Sequence, residues 1–278
     1  MILISDSGST KTDWLLTDGS EVLMTCNTQG INPFMQSSAD INHILRTELR
    51  PQLPADSRLT TVHFYGAGCK GPQCSIIKNV VENIFPDTAV HVDSDMLCAA
   101  QALCGHTPGI ACILGTGANS CHFDGTKIID NISPLGYVLG DEGSGAYLGK
   151  SLIAGIFKRL LPQTLTDDFI ETYNLGIDDI LRSVYKEPLA NRFLASFVPF
   201  LKKHEQHPAI DELLAKAFDN FFRNNILAYS HPELPVCFVG GVAKTFAAQL
   251  SKSANRNGLT IGPILRAPLE NWKNLCQQ

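Results

Sequence analysis

The sequence predicts an α/β fold made of two related domains. Three observations predict it. Apolar runs of strand length alternate with segments whose apolar residues fall at helical spacing. A frame of strand, Gly/Ser/Thr turn, strand, Asp-Gly turn, strand occurs twice. The two copies begin at Met1 and Ile110, too far apart for a solenoid period, as expected of a duplicated domain.

The first copy opens with the apolar run Met1–Ile4, which ends at Ser5-Asp6-Ser7-Gly8. Trp14–Thr17 resumes as a strand, Asp18-Gly19 is a hairpin signal, and Glu21–Thr25 is a third strand. Ile41, Ile44, Leu45 and Leu49 predict a helix over Asp40–Leu49. A strand at Thr61–Tyr65 is closed by Gly66-Ala67-Gly68, and a helix follows over Ser75–Ile84. Ala89–Val92 is a strand that delivers Asp93-Ser94-Asp95, and Met96–Leu103 is a helix of small residues. Gly105–Gly109 reads as a linker.

The second copy runs from Ile110–Leu114 into Gly115-Thr116-Gly117-Ala118-Asn119-Ser120. Cys121–Phe123, Asp124-Gly125 and Lys127–Ile129 complete the frame. A helix-rich stretch fills about 146–231, with an apolar stripe at Ile210, Leu213, Leu214, Ala217, Phe218, Phe221 and Phe222. Val236–Val239 is a strand ending at Gly240-Gly241. Leu259–Leu265 is a last strand and Leu269–Leu275 a short last helix, free to pack back on the N-terminal domain. The expected domains are 1–106 and 107–278, the latter carrying the helical insertion.

The bulk numbers exclude some functions. With 44 % apolar and 18 % charged residues the chain is an ordinary globular one. A net charge of −5 argues against a dedicated nucleic-acid partner. The nine cysteines show no Cys-x-x-Cys spacing, so free thiols in a reducing compartment are expected. No basic leader and no apolar run of membrane-spanning length is seen, so a cytoplasmic protein without a membrane partner is expected. The histidines have no metal-ligand spacing, and no Gly-x-Ser-x-Gly elbow occurs.

Five constellations carry chemistry. Asp6-Ser7-Gly8-Ser9-Thr10-Lys11-Thr12 is a tight turn after a strand, whose successive backbone N–H groups make an anion-binding concavity. Gly8 permits close approach, Ser9, Thr10 and Thr12 offer hydroxyl donors, and Lys11 offers a charge. Asp6 could hold a magnesium ion through water. A polar hairpin without function explains the same residues about as well, and the motif is not a Walker loop. Gly115-Thr116-Gly117 is equally weak alone, but the repeat makes the two turns a pair that fits a phosphate chain. Asp93-Ser94-Asp95 stands at a strand's C-terminal end, where ligands of α/β sheets bind. Asp95 is the favoured base for a substrate hydroxyl and Asp93 the cap of the following helix or a structural group, with the order of the two open. Gly140-Asp141-Glu142-Gly143-Ser144-Gly145 combines a bent loop with a helix start, where Glu142 suits the positive end and Asp141 suits sugar hydroxyls. Gly240-Gly241 lets a flat ring lie on backbone, or simply lets a strand and helix pack closely.

In this order these motifs resemble the acetate kinase, sugar kinase, Hsp70 and actin superfamily. Within it the chain is most similar to the N-acetylglucosamine kinase and BadF/BadG/BcrA/BcrD ATPase group, over nearly its whole length. The resemblance implies two ribonuclease H-like domains of actin/hexokinase type with a nucleotide cleft between them, and ATP and magnesium as cofactors. It makes Asp6–Lys11 the first phosphate motif, Gly115–Gly117 the second, Asp95 the catalytic base and Gly240-Gly241 the adenosine motif. It places Asn32, Asp95, Thr116, Gly117 and Asp141 at the sugar. It implies a kinase that phosphorylates an amino sugar such as N-acetylglucosamine, working as a homodimer by analogy alone. An ATPase activator of an iron–sulfur enzyme is the alternative in the BadF group. That role needs cysteines beside the second phosphate motif, where Cys112 and Cys121 stand. Kinase-like repressors are a third possibility, but they carry an added helix-turn-helix for which no segment is seen.

Overall fold

The structure is a computed structural model that describes residues 1–8 and 11–276. The chain divides into two compact units. The first comprises Met1–His106, with residues 125–127 and the stretch from Pro268 onward; the second comprises Thr107–Asp124 and Ile128–Ala267.

The first unit is built on a five-stranded sheet of order β3-β2-β1-β4-β5, from β1 (Ile2–Ser7), β2 (Lys11–Thr17), β3 (Val22–Gln29), β4 (Thr61–Gly66) and β5 (Ala89–Ser94). β1 to β3 form an antiparallel meander, and β4 and β5 run parallel to β1. The central β1 is apolar on both faces, as a strand covered on both sides must be. Leu3, Trp14, Leu16, Val62 and Phe64 bury one face against α1 (Ser38–Ile44) and α2 (Pro72–Ile84). Ile4, Leu15 and Tyr65 bury the other against α3 (Asp95–Cys104) and Leu275. The Asp18-Gly19 turn forms because Asp18 Oδ1 accepts the N–H groups of Ser20 and Glu21, and Gly19 supplies a φ of 99°.

Two helix starts were only partly visible in the apolar spacing. A capping box between Ser37 and Asp40 opens α1, which passes into a π turn over Leu45–Leu49. Pro72 begins α2 three residues before the apolar stripe, since proline fits the first helical turn.

The second unit repeats the sheet. Its order is β10-β9-β6-β7-β8, from β6 (Gly109–Leu114), β7 (Ala118–Phe123), β8 (Ile128–Asp130), β9 (Val236–Val239) and β10 (Ile261–Leu265). Again three strands form an antiparallel meander and two run parallel to the first. The predicted helical stretch resolves into α5 (Gly145–Phe157), α6 (Gln163–Tyr173), α7 (Ile177–Tyr185), α8 (Ala190–Ala195), α9 (Val198–Lys203) and α10 (Pro208–Phe221), preceded by one turn, α4 (Gly136–Leu139). Phe218, Phe221 and Phe222 of the apolar stripe are fully buried with Phe238 of β9. α11 (Gly241–Thr245) and α12 (Ala247–Arg256) join β9 to β10.

The last segment, Pro268–Leu275, is a 3-10 helix broken at Asn271 and packs on α3 in the first unit. The amides of Asn271 and Asn274 donate to the Ala102 carbonyl at 2.8 and 3.3 Å, satisfying an acceptor near the end of α3. Among the described residues no helix is long and apolar enough to cross a membrane.

Candidate active site

In the first unit the chemistry gathers at the C-terminal ends of β1, β4 and β5. Strand pairing puts Asp6 opposite both Asp13 and Tyr65, and sets Gly66 beside Ser94. Burial pushes the Asp6 carboxyl up to about 7, aided by the like charges of Asp95 and Asp13 and opposed by Lys11. Burial also raises Asp95, while the Met96 N–H and the Lys70 ammonium oppose the rise. The Met96 N–H donates to Asp95 Oδ1 at 2.9 Å, which orients the carboxylate at the first turn of α3.

The cap of α3 is Ser94, whose Oγ accepts the Leu97 N–H at 3.2 Å. The expectation that Asp93 caps this helix is therefore corrected: Asp93 is the last residue but one of β5 and is exposed. A hydroxyl residue between the two acids already does the capping, which leaves Asp95 without that duty.

The first turn closes through the Gly8 N–H, which donates to the Lys11 carbonyl at 3.0 Å. Lys11 Nζ meets Asp13 at 2.7 Å on an exposed surface. Thr12 requires a second correction, because its hydroxyl is fully buried. It lies 2.7 Å from Ser7 Oγ and donates to the Gln29 carbonyl at 3.2 Å. It braces the hairpin and offers no hydroxyl to a ligand. Ser9 and Thr10 lie outside the described residues.

Asn32 is held in a loop after β3. Its Oδ1 accepts the Phe34 N–H at 3.0 Å and its own N–H donates to Gln36 Oε1 at 2.8 Å. A Cβ on Gly68 would fall 2.2 Å from that Oδ1, so the loop after β4 can pass only as glycine.

In the second unit the Gly115 turn is joined to the start of α5. The Gly145 N–H donates to the Gly115 carbonyl at 2.8 Å, the Ala146 N–H to the Thr116 carbonyl at 3.0 Å, and the Tyr147 N–H to Ser144 Oγ at 3.2 Å. The first donors of α5 are thus satisfied by the turn and the cap. Thr116 itself is exposed.

Asp141 sits against this turn, its Oδ2 3.1 Å from where a Gly117 Cβ would stand. The residue has a φ of 57° and is 8 % exposed. Burial pushes its carboxyl up; the Ala118 N–H holds it down, Glu142 adds a further push upward, and Lys150 opposes that. Glu142 does not serve the helix end: its carboxylate accepts the amides of Asn224 and Asn225 at 2.8 and 3.4 Å.

The glycine pair divides its duties. Gly240 has a φ of 130°, and a Cβ there would lie 2.2 Å from the Leu114 carbonyl oxygen. It is needed for close packing of β9 on β6. A Cβ on Gly241 would meet nothing within 4 Å among the described residues, so close packing does not require a glycine there.

Lys70, Asp13 and Lys150 went unnoticed in the sequence, as did the capping role of Ser94. Lys70 follows the Gly66-Ala67-Gly68 run by two residues, and only the parallel pairing of β4 with β5 brings it toward Asp95. Lys150 lies one helical turn beyond Tyr147 and donates to the Tyr137 carbonyl at 3.1 Å.

Two duplicated mixed sheets, each with a turn between its first two strands, define the two-domain fold of actin- and hexokinase-type sugar kinases. No protein-family model matches the chain, and no curated protein does. Among solved structures, the chain is 45 % identical to a Porphyromonas gingivalis protein provisionally named an N-acetylglucosamine kinase, over 100 % of this chain and 98 % of that one, with a TM-score of 0.94. A Chromobacterium violaceum protein of the same provisional name is 17 % identical over 100 % and 98 %, with a TM-score of 0.73. A ROK family glucokinase from Streptomyces griseus, solved with glucose and AMPPNP, is 14 % identical over 99 % and 96 %, with a TM-score of 0.59. These last two share the fold. The chain belongs to the family of N-acetylglucosamine kinase-like proteins and is a phosphotransferase of the sugar kinase class.

Proposed function

We propose that this chain transfers the γ-phosphoryl group of ATP to a hydroxyl of an amino sugar, with N-acetylglucosamine the favoured acceptor. The observation that carries the reading is Asp95: a carboxylate at the start of α3, buried enough to raise its proton affinity, yet oriented by one N–H and not engaged in capping. A base of raised pKa is suited to take a hydroxyl proton near neutral pH. The amino-sugar assignment draws on the name of the Porphyromonas relative, and the nucleotide on the AMPPNP bound by the Streptomyces enzyme.

The residues divide the work as follows. The turn from Asp6 to Lys11 and the turn Gly115–Gly117 receive phosphates through backbone N–H groups. Asp95 orients the acceptor hydroxyl and takes its proton. Asn32, Thr116, Gly117 and Asp141 hold the sugar's other polar groups, and Gly241 leaves room for the adenosine. Transfer is in line, so positioning supplies most of the rate.

The residues around Asp6 fit a magnesium ion. Three carboxylates, Asp6, Asp13 and Asp95, interact there and are opposed by Lys11 and Lys70, an excess of negative charge that a cation relieves. Among the described residues no cluster of three acidic, His or Cys groups could cage a metal alone. That suits an ion held through water and phosphate oxygens, with Asp6 as the protein's share. Bound magnesium supplies neutralisation of phosphate charge.

The activator alternative fits poorly. Cys112 and Cys121 are fully buried, and burial pushes the Cys121 thiol up to about 12 and Cys112 well above its ordinary value. Such thiols do not present themselves to an iron–sulfur cluster at a surface. The test is sugar-dependent ADP release by the purified chain with magnesium-ATP. N-acetylglucosamine, N-acetylmuramic acid, glucosamine and glucose are the acceptors to compare. Release with N-acetylglucosamine is expected, and release with none of the four would overturn the reading.

A further inference from the structure

The first unit has a concave site at the end of its sheet opposite Asp95. Asp6, Gly66 and Ser94 lie where β1, β4 and β5 finish. A cavity of about 450 Å³ opens where β4 and β5 begin, between the chain leading into Thr61 and the chain leading into Ala89. Strands of six residues, at about 3.3 Å per residue, separate the two ends by roughly 17–20 Å. The volume falls in the range of small-ligand sites.

Its lining combines two arginines that lack an ion-pair partner among the described residues with side-chain oxygens that accept. Arg50 is fixed, because its Nη1–H donates to the Ile84 carbonyl at 2.9 Å. The Arg58 backbone is fixed too, since its carbonyl accepts the Met1 ammonium at 3.0 Å. Among the described residues neither guanidinium has a carboxylate within ion-pair distance. Ser57 spends its hydroxyl proton on the Pro54 carbonyl at 2.7 Å and Thr88 on the Leu59 carbonyl at 3.3 Å. Those two oxygens and the Asp87 carboxylate, all on lining residues, are left as acceptors. Phe85, half-buried in the core, walls one side.

This lining selects by chemistry. Two guanidiniums on lining residues, Arg50 held by the Ile84 carbonyl and Arg58 carried on a fixed backbone, suit a phosphate monoester, which guanidiniums grip through parallel N–H donors. Acceptors beside them suit hydroxyl donors on the same ligand. A bare phosphate ion would leave the acceptors unused, and a neutral sugar would leave the guanidiniums unmatched. We propose that this cavity is a non-catalytic binding site for a small phosphomonoester bearing hydroxyl groups, a sugar phosphate in chemical class. The proposal stands apart from the kinase reading, since it uses none of that site's residues.

Methyl NMR on the full chain tests it, with glucose 6-phosphate, glucose and inorganic phosphate as probes. Glucose 6-phosphate is expected to shift the methyl signals of Ile84 and Leu59 saturably at millimolar concentration, and glucose to leave them unmoved. The Arg50→Gln, Arg58→Gln double variant is expected to weaken that binding roughly tenfold or more, as loss of charge-assisted hydrogen bonds requires. Should the double variant fold poorly, Arg58→Gln alone still tests the point, with a several-fold loss of affinity and unchanged sugar-dependent ADP release. An unmoved Ile84 and Leu59, shifts confined to residues around Asp95, or an equal response to inorganic phosphate (an adventitious ion only) would each overturn the proposal.

Discussion

The two units share one sheet and differ in what stands at its turn. Each has three antiparallel strands followed by two parallel ones, in the same spatial order. In the first, the turn after β1 is surrounded by charge: Asp6, Asp13 and Asp95 interact, with Lys11 and Lys70 opposing. In the second, the turn after β6 is held by backbone: its carbonyls take the first N–H groups of α5, and Gly240 lies against Leu114. The connections differ as well. Residues 30–60 join the third and fourth strands of the first sheet, whereas residues 131–235, with most of the protein's helices, join those of the second. The repeated sheet thus carries interacting carboxylates at its turn in one unit and close backbone approach in the other.

The comparison breaks most sharply at Asp95. Asp95→Asn is expected to lower kcat by roughly 10²–10⁴-fold, the usual worth of a general base, with the KM for the sugar little changed. Gly240→Ala is next and tests the second unit. Its Cβ would meet a backbone oxygen at a left-handed φ, so denaturation should show a loss of about 3 kcal/mol. Gly66→Ala, at the end of the matching strand β4, meets the Phe64 side chain at 2.8 Å and no left-handed φ is involved. Because a side chain can shift, its loss should be nearer to about 1 kcal/mol. Equal losses at the two glycines would count against the division drawn above.

A pH effect on stability is expected from a buried histidine of the first unit. His63 is 3 % exposed, its Nδ1 has no hydrogen-bond partner among the described residues, and it stacks on His91 at 5.0 Å. Burial, then the neighbouring His91, lowers its pKa from 6.5 to about 4. The unfolded chain therefore binds more protons between those values, and stability falls as pH drops from about 6.5 toward about 4. The loss from this residue should reach about 3 kcal/mol, and His63→Leu should flatten that part of a stability–pH curve. Smallest are the helix caps. Ser94→Ala and Ser144→Ala should each cost about 1 kcal/mol, similar in the two units because the same Oγ-to-N–H bond is lost.

Much of the scaffold was legible because it rests on short-range signals. Both meanders were marked by Asp-Gly turns, and β9 coincides with its four-residue apolar run. Helix starts were less legible, since Ser37 and Pro72 lie outside the apolar spacing that marks α1 and α2. At the candidate site, residue types were legible but not directions. Thr12 reads as a hydroxyl donor in a turn, yet strand alternation points it inward onto Ser7. Asp93 reads as a cap, yet Ser94 has the spacing to Leu97 that a cap needs. Lys70 and Asp13 join Asp6 and Asp95 only through pairing between strands, which no local pattern records.

In the proposed reaction the first unit supplies the base, Asp95. Sugar-dependent ADP release with N-acetylglucosamine, compared between the wild-type chain and Asp95→Asn, tests it most directly. Turnover by the wild-type chain is expected to fall by at least roughly 10²-fold in the variant while the fold is retained. Equal turnover in both would contradict it.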